Sequence, residues 1–492
     1  MRGFSVEKVD DTTVQELDAV KDDAELLDTR PEILRDLSKD DMASMEKKLL
    51  RKLDIRLLPI LILLFVLNIL DRNAIANARL GGLEADLGLT GLQYQTAVMA
   101  VWPGYISMMI PSNMVLSVIK PRIYLPTVVM VWGLVAGASG FTQNFGGIVA
   151  VRILTGVTEA PYFVGVIFLL SCWYKRNELP IRISIFYSGY TLSSAFGGLI
   201  GAGIIGNMDG VGGYRSWRWL FIIEGAATII CGIPAFFILP NYPATTKWLS
   251  EQERAFAQWR LATEADGEED TVQGSVMQGL KDACTDSKVW LLVIIQTGAV
   301  MGMSFTYFFP SIVATLGYPR VITLLLTAPP YFAAFLFSLA NSWHSGKTLE
   351  RGWHITIACA IGIVGQITAT STRVIGARYF AFFLCACGAF SAFQVILSWV
   401  SSTIARPKAK RAVAIAMATA ISNGVGNIPS AYLYPTTDAP LYRVGSVTLT
   451  CALAICGVTC VVLKYLLKRM NKRAEQRDAE SNAALTTFRY IT

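Results

Sequence analysis

The chain has 492 residues, 53% of them hydrophobic and 16% charged, with 43 Lys and Arg against 36 Asp and Glu for a net charge of +7. Soluble domains carry roughly 25% charged residues. Here the apolar residues gather in blocks of ~20, the length that crosses ~30 Å of hydrocarbon, so the composition excludes a soluble protein and implies an all-α polytopic membrane protein.

Residues 1–46 are polar and acid-rich (Asp10, Asp11, Asp22, Asp23, Asp40, Asp41). They lack the apolar core of a cleavable signal peptide and read as a disordered cytoplasmic tail. Twelve apolar blocks follow, at 57–80, 93–116, 123–141, 147–173, 182–206, 218–239, 288–314, 321–342, 353–371, 378–402, 411–433 and 445–467. The domain reading is a tail over 1–52, a six-helix half over 53–240, a linker over 241–287, a second six-helix half over 288–468 and a tail over 469–492. Basic residues flank the first and last blocks and fill the even-numbered loops, for example Lys120, Arg122, Lys175, Arg176, Lys408 and Lys410. Cytoplasmic loops carry such an excess, which places both termini in the cytoplasm. The net charge therefore speaks of topology and implies no nucleic acid.

Asp71 and Arg72 sit inside the first block, between the run ending at Leu70 and a helical pattern continuing to about Leu80. A charge at bilayer centre costs at least ~2.5–3.5 kcal/mol on insertion scales, and residues that bear this cost mark ion or substrate pathways. The competing reading ends the helix at Leu70 and leaves both charges among headgroups. The fourth block reads Arg152-Ile-Leu-Thr-Gly156-Val-Thr-Glu159-Ala-Pro161. Glu159 lies near its centre, and Arg152 precedes it by two turns on the same face, ~10 Å along the axis. A buried carboxylate beside an arginine can be ionised or neutral at modest cost, which suits a proton carrier; a static ion pair is the plainer reading. Arg72 cannot lose its proton. Were Asp71 and Glu159 protonated, its bidentate fork would be free for a substrate carboxylate.

Tyr105, Tyr187, Tyr190, Asn423 and Asn427 are further polar residues inside spans. Each could contact a ligand or merely bond between helices. Tyr190 and Asn423 are favoured as facing one another across the halves. His344 and His354, the two histidines, fall in a loop. The nine cysteines show no metal or redox spacing, so neither metal nor cofactor is expected.

Small residues allow close helix approach at Gly133-x-x-x-Gly137, Gly197-x-x-x-Gly201 and Gly298-x-x-x-Gly302. Proline interrupts spans at Pro103, Pro111, Pro161, Pro310, Pro329-Pro330 and Pro429. The fifth block reaches Gly197 fifteen residues after Arg182, and the eleventh reaches Gly426 fifteen after Arg411. Repeated six-helix halves with a midplane site are one recurrent transporter plan. Between the halves, residues 244–261 space Trp248, Leu249, Phe256 and Trp259 among charges. That suits an amphipathic surface helix or an ordinary linker helix, followed by an acidic stretch (Glu264, Asp266, Glu268, Glu269, Asp270).

The strings LNILDRNAIANARLGGLEADLGLT, QYQTAVMAVWPGYISMMIPSNMVLSVIKPRIYLP, VRILTGVTEAPYFVGVIFLLSCWYKRNEL and WRWLFIIEGAATIICGIPAFFILPNYPATTKWLSEQER resemble the anion:cation symporter family of the major facilitator superfamily, especially its fungal allantoate and nicotinate permease branch. The second half matches more loosely, around Ser422 to Asn427 and Tyr434-Pro435. The resemblance implies the major facilitator fold, Arg72 as the group that engages an anion, Asp71 and Glu159 as proton-coupling acids, and Arg152 as part of their charge network. It implies uptake of a small organic anion with protons across the plasma membrane; a functional monomer is expected because the site is enclosed within one chain. The loop Ser117 to Arg122 departs from the superfamily pattern in lacking a glycine and an acid. Two other functions compete. Export by antiport would call for a proline in the glycine motif of block five, absent from Gly197-Gly198-Leu199-Ile200-Gly201. A nutrient receptor would need a larger cytoplasmic domain than the tail or the linker offers.

Overall fold

The computed structural model describes residues 30–175, 178–266, 276–404, 408–480 and 490. Each apolar block is helical there, and no strand occurs among the described residues. The long helices are α1 (Lys39–Leu80), α2 (Val101–Val118), α3 (Pro121–Ala138), α4 (Phe145–Ser171), α5 (Leu179–Asn207), α6 (Ser216–Ile238), α7 (Ser287–Met303), α8 (Arg320–Thr348), α9 (Gly352–Ser371), α10 (Ile375–Thr403), α11 (Lys408–Asn427) and α12 (Arg443–Glu480). Among the described residues, nine helices are long and apolar enough to cross a membrane; α2, α5 and α11 stand in the same bundle beside them. The bundle's outer surface is apolar, with Leu134, Ile230, Phe237, Leu336, Ile357 and Val458 all exposed. That suits contact with lipid chains, which are as apolar as leucine.

Helix α1 begins well before the hydrophobic block. Ser38 caps it, its hydroxyl accepting from the Asp41 amide at 3.2 Å, and Asp40 and Asp41 in the first turn favour the positive end of the helix dipole. This corrects the reading of residues 39–46 as disordered tail; Asp10, Asp11, Asp22 and Asp23 lie outside the described residues. At the other terminus α12 continues to Glu480, into the segment expected to be tail. The segment expected at 288–314 is broken: α7 stops at Met303, a 3₁₀ turn spans Ser304–Tyr307, and a new helix starts at Phe309 with Pro310 in its first turn. Proline tolerates that position because its missing N–H would be unsatisfied there anyway. Segment two likewise divides into Gly91–Met99 and α2, just ahead of Pro103.

Helices α1–α6 pack among themselves, α3 on α6, α2 on α4, and α1 on α5 and α6. In the second half α9 lies against α10 and α12, and α7 against α11 and α12. The halves meet where α5 packs on α8 and α10, and where α2 meets α11. Glycines set the tightest crossings. A Cβ on Gly225 of α6 would lie 2.6 Å from the Gly133 carbonyl of α3, and one on Gly298 of α7 would lie 2.7 Å from the Ala452 carbonyl of α12. Gly197 turns toward Leu70 of α1, whereas Gly426 turns toward Val300 of α7. The matched spacing in blocks five and eleven thus delivers glycines to corresponding crossings.

The linker carries the helix Glu251–Asp266, whose Phe256–Ala257 side is buried against the first half together with Leu249 just ahead of it. Its apolar face covers protein, so the ordinary linker-helix reading prevails over a helix lying in lipid. Arg260 is nearly fully buried and donates to Glu178 at 2.8 Å, to the Trp173 carbonyl at 3.0 Å and to Glu46 at 3.3 Å. Lys52 pairs with Glu253 at 2.8 Å, and Trp173 stacks on Trp248 with centroids 6.1 Å apart. Glu268, Glu269 and Asp270 lie outside the described residues.

Candidate functional site

One cavity lies between the two halves, beside the Phe65–Arg72 stretch of α1. The first half lines it with Asn68, Arg72, Trp102, Tyr105, Phe163, Tyr187 and Tyr190, and the second with Gln296, Tyr307, Phe393, Thr419, Asn423 and Asn427. The structure therefore brings Arg72, Tyr105, Tyr190 and Asn423 to one space. Tyr190 and Asn423 do share the cavity, but α5 packs on α8 and α10 rather than on α11; the Tyr190 ring meets Phe390 of α10 at 5.4 Å.

Asp71 and Arg72 are both buried, and the helix runs on to Leu80. The headgroup reading is thereby set aside on geometry. Successive residues of an α-helix differ by about 100° in direction, and the two side chains separate accordingly. The Arg72 guanidinium reaches Glu159 of α4, with Nε and Nη2 at 2.8 and 2.7 Å from the same carboxylate oxygen, Oε2. Oε1 of Glu159 has no partner. The guanidinium also lies over the rings of Tyr105 and Trp102, 4.8 and 5.3 Å from their centroids, where the ring faces favour a cation. Asn68, one turn earlier, accepts from Nη2 at 3.4 Å.

Asp71 points the other way. Its Oδ2 accepts from the Trp132 indole at 2.7 Å and the Thr228 hydroxyl at 2.8 Å, on α3 and α6. It makes no ion pair with Arg72. The single acid–base cluster expected from the sequence is resolved into two sites on different faces of one helix. Arg152 is buried and donates to the Arg72 backbone carbonyl at 3.0 Å, tying α4 to α1 beside the pair.

Local sequence explains why these groups meet. A Cβ on Gly156 would collide with the Val101 carbonyl and lie 2.8 Å from the Tyr105 amide. Only glycine lets α2 come so close to α4, which sets Tyr105 over Arg72 one turn from Glu159. On the second half, the Tyr307 hydroxyl donates to Asn427 Oδ1 at 3.3 Å and Asn427 donates to Asn423 at 3.4 Å. Tyr307 belongs to the 3₁₀ turn where segment seven breaks, so the interruption delivers a phenol to the cavity.

Sequence reasoning passed over Asn68, Gln296, Tyr307 and Glu224. The first two are amides inside apolar blocks and were open to the same test as Glu159. Glu224 of α6 is buried with both carboxylate oxygens unpartnered. Its signal was an acid within Leu220-Phe-Ile-Ile-Glu224-Gly. The histidines stay away from the cavity: His344 bonds His354 at 2.7 Å, and His354 meets Glu350 at 2.8 Å.

At the end of the cavity near the linker, Gln394 of α10 donates to the Ser184 carbonyl of α5 at 2.8 Å and Phe393 meets Tyr187 at 5.1 Å. At the opposite end Arg79 donates to Ser311 at 3.3 Å, and Thr96 and Tyr432 hydroxyls lie 3.2 Å apart. Cross-half contacts thus bracket the cavity above and below.

Residues 61–431 match the Major Facilitator Superfamily. A Penicillium expansum protein named MFS-type transporter cnsO is 35% identical over 457 residues, which cover 90% of this chain and 87% of that one. An Agrobacterium vitis protein provisionally named a tartrate transporter is 31% identical over 329 residues, 67% of this chain and 74% of its own. Among solved structures, a bacterial homologue of the human lysosomal transporter Spinster, inward-facing and unoccupied, shares the fold with a TM-score of 0.61 at 15% identity, covering 82% of this chain and 94% of that one.

Proposed function

The chain belongs to the Major Facilitator Superfamily and is a membrane transporter, and from that premise we propose that it imports a small organic anion together with protons by alternating access. The observation that carries this reading is the position of Arg72. Its permanent charge borders a cavity between the halves, and its carboxylate partner, Glu159, stands behind it on α4 rather than in the cavity. Protonation of Glu159 would release the guanidinium fork to a substrate carboxylate; departure of the substrate would return it to Glu159. Tyr105, Tyr190 and Asn423 offer hydroxyl and amide groups to the remainder of the ligand. The name of the Agrobacterium vitis relative supports a carboxylate as substrate class.

In this reading Glu159 and Asp71 hold the coupling protons, and Arg152 keeps α1 and α4 in register through the Arg72 carbonyl. The protein works as a monomer, because every group invoked lies in one chain. It resides in the plasma membrane with both termini in the cytoplasm, an arrangement supported by the basic even-numbered loops. The branch of nicotinate- and ureide-type permeases remains the source of trial substrates.

The test is ligand-induced thermal stabilisation of the purified protein with a panel of small carboxylates. One carboxylate should raise the melting temperature of the wild type in a concentration-dependent manner and leave Arg72→Ala unmoved. A panel without effect on the wild type, or an equal effect on both proteins, would refute anion binding at Arg72.

A further inference from the structure

Arg378, in the first turn of α10, is only 4% exposed. Its Nη2 donates to the Thr315 hydroxyl at 2.9 Å and to the Pro440 carbonyl at 2.8 Å, while Nε has no partner. Among the described residues it forms no ion pair. The guanidinium keeps its charge under all working conditions, and a buried charge is ordinarily matched by one of opposite sign. The transport mechanism above gives this arginine nothing to do.

Arg378 borders a small cavity inside the second half, between the short helix Phe309–Ala314, α9, α10 and the start of α12. Gln366 of α9, Tyr434, Tyr442 and Ser446 of α12 share its lining. All four are buried, and none of their side chains makes a hydrogen bond among the described residues. Each can donate: one carries an amide N–H₂ and three carry hydroxyls. No carboxylate lines the space. Donors gathered around a fixed positive charge, with no acid among them, suit an anion. Water would occupy some of the donors but leave the charge unmatched. Size narrows the class further. The space is about 20 Å³, against the ~10–15 Å³ that one water needs, which admits a halide-sized ion and excludes an organic carboxylate.

We propose that this cavity binds a small monovalent inorganic anion of halide size, held by Arg378 and the Gln366 amide, with the hydroxyls of Tyr434, Tyr442 and Ser446 around it. The site is separate from the Arg72 cavity and does not rest on the proton-driven reading above. It lies against the helix Phe309–Ala314, whose last turn Arg378 grips through Thr315 and whose Ser311 accepts from Arg79 of α1. The bound ion therefore steadies the segment that brackets the Arg72 cavity at the end away from the linker.

The experiment is thermal unfolding of the full-length protein in lipid nanodiscs as chloride replaces methanesulfonate at constant ionic strength, with no transported carboxylate present. The proteins compared are wild type, Arg378→Gln, Gln366→Leu and Arg72→Ala. A ligand that binds only the folded state raises the melting temperature with its concentration, so the wild type should show a saturable rise with chloride. Arg378→Gln should lose that rise, and Arg72→Ala should keep it. Gln366→Leu leaves Arg378 and its bonds to Thr315 and Pro440 in place. It should raise the half-saturating chloride concentration about tenfold, as expected for one lost hydrogen bond to a charged group, and it decides the matter should Arg378→Gln fail to fold. A wild type indifferent to chloride overturns the proposal, since the cavity would then hold water. So does a rise that survives Arg378→Gln, or a half-saturating concentration unchanged in Gln366→Leu. A rise lost in Arg72→Ala also overturns it, by placing the ion in the transport cavity.

Discussion

Asp71 and Arg72 are adjacent in α1 and address different faces of it: Asp71 is bonded to Trp132 and Thr228 inside the first half, and Arg72 to Glu159 beside the cavity. Any displacement of α1 therefore acts on both charges at once. This arrangement gives α1 the means to link events in the cavity to events in the wall behind it.

The Arg72–Glu159 pair is buried, so removing one member leaves a charge without a partner. Breaking such a pair costs about 3–5 kcal/mol. Arg72→Ala should lower the unfolding temperature in detergent, and Arg72→Ala/Glu159→Gln should recover part of the loss. The double-mutant cycle isolates the pair; strict additivity would deny that the two residues interact.

Gly156 sets the distance between α2 and α4. Gly156→Ala places a methyl group against the Val101 carbonyl and the Tyr105 amide, and overpacking of this kind costs about 1–3 kcal/mol. The variant should melt earlier and lose substrate affinity, because Tyr105 is pushed away from Arg72. Gly146→Ala, where a Cβ would meet only Asn144 Oδ1 at 3.6 Å, should melt as the wild type does.

The fold and part of the site were legible in the sequence for a common reason. Apolar blocks of membrane length announce helices, and a charge such as Arg72, Arg152 or Glu159 inside one must be buried or functional. Partners were not legible. Trp132 and Thr228 lie 61 and 157 residues from Asp71, and nothing local says that they converge on it. The extension of α1 back to Lys39 was hidden because its first turns are polar and held by the Ser38 cap and by Lys175 and Arg260, both paired with Glu46. Tyr307 reaches the cavity through a break in a segment that reads as continuous.

Arg260 anchors the linker helix. Arg260→Ala strips Glu178 of a 2.8 Å partner and the Trp173 carbonyl of its donor. The segment 244–266 should then become sensitive to limited proteolysis at protease concentrations that leave the wild type intact. Unchanged cleavage would show that Trp248, Phe256 and Lys52–Glu253 hold the helix without it.

Asp286 lies just ahead of α7. Its partial burial opposes ionisation, but hydrogen bonds from Lys410 and the Lys288 amide, with both ammonium charges, outweigh it and hold the carboxyl below the usual range. A carboxyl so lowered stabilises the fold above the unfolded value of ~3.9, and the contribution is lost as pH falls through the folded value. Asp286→Asn should therefore melt below the wild type at neutral pH, the difference closing as the pH drops below the usual carboxylate range. A difference independent of pH would rule out the ionic contribution.

The most direct test of proton-coupled anion import is proton flux in liposomes holding the purified protein, challenged with small carboxylates, for wild type, Arg72→Ala and Glu159→Gln. The account predicts that one carboxylate acidifies the lumen as it enters through the wild type. Arg72→Ala should move neither anion nor proton, and Glu159→Gln should carry anion without the accompanying protons or not at all. Anion entry without acidification in the wild type, or wild-type flux in both variants, would contradict it.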